Sequence, residues 1–235
     1  MSTLRSSPGH PVIGAETTGP ADDARVRLRQ AGLRLFAAQG FARTSTRELA
    51  EAASVNVAAI SYYFGDKAGL YRAVFFGPED NDVEADLARY AAPGLTLEQV
   101  LRGFFEVFVA PLREGDQMRL CMKLRFREML EPTGLWEEEI AKGIKPMHDA
   151  LAAVLARHLG LAAPDLEVRR LVVCLAGLGV HLHVGHDINH QIAPALNAGP
   201  AALDDWADAL LRYGLALVRA EAARRGVALA GEGAA

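Results

Sequence analysis

The sequence predicts an all-α chain, with a small N-terminal three-helix helix-turn-helix unit ahead of a larger helical body. Three observations carry this. Between Thr44 and Leu70, closely spaced helix-start signals surround one tight break. From about Asp80 onward, apolar residues recur at helical spacing between Gly and Pro breaks. No stretch alternates apolar and polar residues for long enough to make a strand. At 235 residues, 51% hydrophobic and 23% charged, the chain has enough apolar surface for a substantial core.

Residues 1–21 are rich in Ser, Thr, Gly and Pro, carry one cation (Arg5), and are expected to form a disordered tail. They lack the basic start and continuous apolar core of a signal peptide. No apolar run approaches the ~20 residues that span a bilayer, so a cytoplasmic protein with no membrane partner is expected. The small domain is placed at 22–76. Its first helix begins near Asp22 or Asp23, where acidic groups suit the positive end of the helix dipole. Leu28, Ala31, Leu35 and Phe36 form its buried stripe, and Gly40 stops it. Ser45 and Glu48 have the spacing of a capping box. Leu49, Ala50 and Ala53 follow on one face, and Ser54-Val55 breaks the run. Asn56 caps a second short helix, and Asp66, behind Gly65, caps the next. Lys67 to Phe76 forms a fourth helix, ended by Gly77-Pro78.

The body is placed at 80–225, with helices at 80–91, 96–111, 116–130, 135–159, 165–188 and 204–225, and a frayed tail at 226–235. Cys121 and Cys174 lie in apolar helical surroundings and are expected as buried free thiols.

Two short helices with so tight a junction can present the second to a DNA major groove, which is wide enough to admit it. Val55, Ile60 and Phe64 are its inner side; Val57, Ala58, Ser61 and Tyr62 are its outer side. Small outer residues permit close approach, and their methyls suit a thymine methyl. Thr46, Arg47, Val57, Ala58, Ser61 and Tyr62 are therefore candidates to face bases in double-stranded DNA. Ser45 and Lys67 are candidates for phosphate, and Asn56 belongs to the same surface. The charge distribution agrees. Residues 25–75 hold eight cations against three anions, a net +5, which leaves −9 for the remainder of a chain whose total is −4. A basic head on an acidic body is the electrostatic footprint of a separate DNA-binding end.

The segment from Val26 closely resembles the TetR family of bacterial transcriptional regulators. Leu35-Phe36, Gly40-Phe41, Thr44-Ser45, Leu49-Ala50, Ala53, Val55, Phe64, Lys67 and Leu70 occur in that family's order and spacing. The chain departs from it at Ser54 and Ala58, where many members have glycine, at Ser61 (tyrosine) and at Tyr63 (histidine). FREMLEPTG and KPMHDAL resemble the C-terminal domain of the CecR branch. The resemblance implies a ligand-responsive regulator, most simply a repressor. It implies transmission of motion through the fourth helix and a homodimer through the two C-terminal helices. Those helices carry more apolar positions than one side of a lone subunit needs, among them Leu171, Cys174, Leu175, Leu178, Leu210, Leu211, Leu215 and Val218. No cofactor is expected.

Two constellations in the body could carry chemistry. Phe104, Phe108, Met118, Met122, Phe126, Met129 and Met147, with Leu178 and His181, are candidates to line a cavity for an apolar or aromatic effector; at each position ordinary core packing competes with that role. Met122 or Phe126 is expected to face the ligand. His183, His186 and His190 would share one face of a continuous helix, and His186 and His190 have the i, i+4 spacing of a metal pair. The competing reading is a set of histidines near a helix end, where imidazolium suits the dipole. Ser61, His148 and Asp149 show no spacing of nucleophile, base and orienting partner, so no enzyme is expected.

Overall fold

The computed structural model describes residues 20–77 and 83–229. Residues 1–19 and 230–235 of the expected tails lie outside the described residues; α1 already begins at Pro20, and Leu229, expected in a frayed tail, is buried in the body core. Helices run at α1 Pro20–Arg43, α2 Thr46–Ala52, α3 Ala58–Phe64, α4 Lys67–Phe75, α5 Val83–Ala91, α6 Leu97–Arg113 and α7 Asp116–Leu130. They continue as α8 Leu135–Glu139, a π-helical turn Ile140–Ile144, α9 Lys145–His158, α10 Leu166–Val184, α11 His186–Ile192, a 3₁₀ turn Pro194–Asn197 and α12 Ala202–Arg225. There is no strand among the described residues.

Local signals set the helix starts. Ser45 Oγ accepts from Glu48 N at 3.1 Å, and Ser45 N donates to Glu48 Oε2 at 2.8 Å, completing the capping box. Thr96 and Gln99 make the same reciprocal pair at the start of α6. Asp66 Oδ1 accepts from Gly69 N at 2.7 Å, and Asp165 Oδ1 from Val168 N at 3.0 Å. Each cap satisfies an otherwise orphaned amide and contributes about 1 kcal/mol. Gly40, at φ 82°, interrupts α1 with a non-helical residue before its last short turn.

Two expected helices are broken. The span 135–159 contains the π turn, which inserts one wider turn between α8 and α9. The span 165–188 ends at Gly185, and α11 begins afresh. Glycine is required at that junction, since a Cβ at Gly185 would lie 2.5 Å from the His181 ring.

The apolar residues form two cores. One gathers Tyr90, Leu101, Phe104, Phe105, Leu151, Leu155, Leu175 and Val218 within the body. The other joins Leu28, Phe36, Leu49, Ile60, Leu70 and Phe75 in the head, and Leu124 of α7 is part of it at 1% exposure. Leu120, Cys121, Leu135 and Trp136 pack against that head core, so Trp136 serves the head although it lies in the body's sequence. Cys121 is half-buried, and Cys174, expected to be buried, is exposed on α10. The junction is polar as well. Glu128 is fully buried, accepting from Tyr71 Oη at 2.6 Å and from Thr133 N and Oγ1 at 2.6 and 2.9 Å. Burial and this carboxylate push the Tyr71 phenol far up. Arg72–Glu138 and Arg125–Glu139 pairs, at 2.7 and 2.6 Å, flank it.

Candidate nucleic-acid interface and body cleft

The turn between α2 and α3 is a closed hydrogen-bonded cap. Ser54 N donates to Glu51 O at 3.0 Å and Val55 N to Ala50 O at 2.9 Å, the pairing of a Schellman motif. Ser54 takes the left-handed position, at φ 53°, which glycine occupies without steric cost. Asn56 Oδ1 then accepts from Ala58 N at 2.8 Å, starting α3.

This geometry turns one side of α3 inward and the other out. Ile60 is 1% exposed, whereas Val57 is 45% and Tyr62 81% exposed. Ala58 and Ser61 are exposed beside them, as are Ser45, Thr46, Arg47 and Asn56 around the first turn of α2 and the turn. Tyr63 stacks edge-on against Tyr62 at 4.8 Å. Lys67 is placed differently. Its ammonium donates to Phe41 O at 3.0 Å and Thr44 O at 2.9 Å and sits 4.2 Å from the centre of the Phe41 ring. Two of its three donors thus tie α4 to the end of α1, and one remains for an outside acceptor.

Behind the head, α6, α7, α10, α11, the 3₁₀ turn and α12 enclose an open cleft of about 680 Å³. Met122 and Phe126 line it; the other body candidates do not. Phe104 and Met147 are buried in the body core, and Phe108 and Leu178 pack against that core. Phe108 is held where a Cβ on Gly179 would meet its ring at 2.5 Å. Met118 is half-buried away from the cleft, Met129 is 40% exposed, and His181 is exposed with Nε2 3.3 Å from Asn189 Oδ1. The aromatic and methionine side chains that reach the cores are used for packing.

Residues the sequence did not single out complete the cleft. Leu112, Arg119, Lys123, Asn197, Leu203 and Trp206 are among them. One signal was available, since Arg119, Met122, Lys123 and Phe126 recur at helical spacing on one face of α7. The opposite wall comes from distant sequence and left no such trace.

His183 lines the cleft with its ring 5.3 Å from Phe126. Its Nε2 lies 2.9 Å from Phe108 O, and since a carbonyl only accepts, that nitrogen carries the proton. Burial lowers its pKa, keeping it neutral. The alternative metal face does not lie on one continuous helix. The helix that would align the histidines ends at Gly185, and His183 Nε2 is already bonded. His190 is exposed, and the side chain of His186 lies outside the described residues. Among the described residues, no group of three or more His, Cys, Asp or Glu could hold a metal. None of the described helices is long and apolar enough to cross a membrane.

Comparison with known proteins places this geometry. Residues 28–74 match the model of bacterial regulatory proteins of the tetR family, and residues 97–220, more than half the chain, match the C-terminal domain of the HTH-type transcriptional dual regulator CecR. The chain is 29% identical to the CecR dual regulator of Shigella flexneri over 157 residues, 63% of this chain and 70% of that protein. NalD, the secondary repressor of the MexAB-OprM multidrug efflux pump in Pseudomonas aeruginosa, has the same fold. It aligns with a TM-score of 0.55 at 16% identity, over 83% of this chain and 96% of its own. A TetR-like transcriptional regulator from Rhodococcus aligns with a TM-score of 0.53 at 19% identity, over 82% and 96%. The chain belongs to the TetR family of transcriptional regulators, with a helix-turn-helix head and a C-terminal domain of the CecR type.

Proposed function

We propose that this protein is a homodimeric repressor, released from operator DNA when a small organic effector fills the body cleft. The observation that carries this reading is the double use of α7. One face, with Met122 and Phe126, lines the cleft, while Leu124 on another face is buried in the head core. Arg127, also at the cleft, donates to Ala38 O at 3.2 Å near the end of α1. A ligand that displaces α7 therefore displaces the head. This adds α7 to the fourth helix, α4, as a route for the motion.

In the DNA-bound state Thr46, Arg47, Val57, Ala58, Ser61 and Tyr62 face bases, and Ser45, Asn56 and Lys67 face the backbone. The dimer forms on the outer faces of α10 and α12. Val173 and Val184 on α10 are 61% and 48% exposed, and Tyr213 and Leu217 on α12 are 53% and 37% exposed. Gly177 between them leaves room for close approach, because an added Cβ meets nothing within 4 Å. Arg225 bonds Asp165 at 2.7 and 3.0 Å, tying the two helices into one unit. Two heads joined this way meet half-sites about one helical turn apart, and a few ångströms of change in their separation breaks the match.

Fluorescence anisotropy on the DNA just upstream of this protein's own gene tests the reading. Binding across a salt series that survives excess random competitor, and is lost in Arg47→Ala, supports it. Competitor-sensitive binding at every salt, on that DNA and on genome-selected fragments alike, contradicts it.

A further inference from the structure

We propose that the effector of this cleft is an amphipathic organic anion, an apolar ring-bearing body carrying one carboxylate or comparable negative group. This rests on the reading of the body as an effector sensor and names the ligand class. The cleft's volume of about 680 Å³ suits an organic ligand of that size. Met122, Phe126, Leu182 and Trp206 give it an apolar lining.

The charged groups at the cleft are unevenly matched. Among the described residues, Arg119, Lys123 and Arg127 line it against one carboxylate, Glu131. Arg127 and Glu131 pair with each other at 3.0 Å, which leaves Arg119 and Lys123, one helical turn apart. Arg119 reaches Asp116 only at 3.8 Å, and that aspartate side chain is 97% exposed. Two cations on one wall stand out where the sequence outside residues 25–75 carries a net −9. A neutral apolar ligand would cover them and give nothing for the lost hydration. A cationic ligand would meet like charge with the single carboxylate already committed.

The opposite wall carries a polar pair as well. Trp206 Nε1 is 3.2 Å from the Asn197 side chain and can only donate, which fixes Oδ1 on that side. Asn197 Nδ2 is then buried without a hydrogen-bond partner among the described residues. His183, neutral at this site, adds no further positive charge. The lining thus combines apolar surface with a cationic edge, and the ligand complementary to both is an apolar body with an anionic group.

Two fluorescent probes of nearly equal size separate the classes: anilinonaphthalene sulfonate, which is anionic, and phenylnaphthylamine, which is neutral. Both are titrated into the full-length dimer in a Trp136→Phe background, so that quenching of Trp206 reports binding in the cleft. The sulfonate is expected to bind more tightly than the neutral probe. Arg119→Gln with Lys123→Gln should weaken it about fivefold while moving the neutral probe less than about twofold. Both positions are at the surface, so the double variant is expected to fold. Equal binding of the two probes, or a sulfonate affinity indifferent to the double variant, overturns the proposal. If the neutral probe alone quenches Trp206, the ligand class falls and the sensor reading stands. If neither probe quenches it, both fall.

Discussion

The candidate DNA-facing surface of the head and the cleft of the body are held by different kinds of bond. In the head, Ser45 is fixed by Glu48, Ala58 by Asn56 and Gly69 by Asp66, each within three residues, and Lys67 closes the unit onto Phe41 and Thr44. The cleft gathers residues from Leu112 to Trp206, which lie far apart in sequence. In the proposed mechanism the first arrangement moves as a piece, whereas the second changes shape as its helices slide: the reading surface keeps its register while the sensing surface yields. Helix α7 is common to both, with its cleft-lining residues and its buried Leu124 on different faces.

The largest effect is expected where α7 enters the head. Leu124→Ala should cost about 2–5 kcal/mol, because it empties a site 1% exposed in the head core. Urea unfolding gives the size of the loss. Hydrogen exchange should show it in α1 and α4 more than in α10 and α12. A loss confined to the body would break the comparison. Lys67→Ala comes next. It should lower stability by about 1–3 kcal/mol by leaving the Phe41 and Thr44 carbonyls without their charged donor. The same variant should reduce the salt slope of DNA binding by about one unit, through the donor that remains.

Acid should act first on the body. Burial lowers the pKa of His183 and of His148, so the unfolded chain takes up these protons at higher pH than the folded one. Their contribution to stability is present above the ordinary histidine value near 6.5 and is lost as pH falls through the lowered folded values. Thermal unfolding at pH 7.5 and pH 5 should therefore differ less in His183→Gln than in the parent protein. An equal difference in both would remove His183 from the account. The smallest effect sharpens the head: Ser54→Gly should raise stability by up to about 1 kcal/mol, by relieving the left-handed serine at the turn.

Much of the head was legible because its signals are local. Ser45 with Glu48, Asn56 and Asp66 are read from neighbours in sequence, and the structure uses each as a cap. Lys67 was legible as a position but not as a bond, since its acceptors lie 23 and 26 residues away. The body's helix boundaries were largely visible, whereas its cleft was not. Met122 and Phe126 stood out among many aromatic and methionine residues, most of which go to packing. Asn197 and Trp206 become partners only when α12 folds back beside the 3₁₀ turn. Trp136 read as a body residue because sequence order cannot show that α8 turns back onto the head core. The three histidines share one face only on a helix that continues past Gly185, where α10 has already ended.

Hydrogen exchange of the full-length dimer, with and without its operator DNA, tests the coupling most directly because it needs no effector. DNA is expected to change protection in α2 and α3 and also in α7, the helix shared by head and cleft. Changes confined to α1 through α4, with α7 exchanging at the same rate on and off DNA, would contradict it.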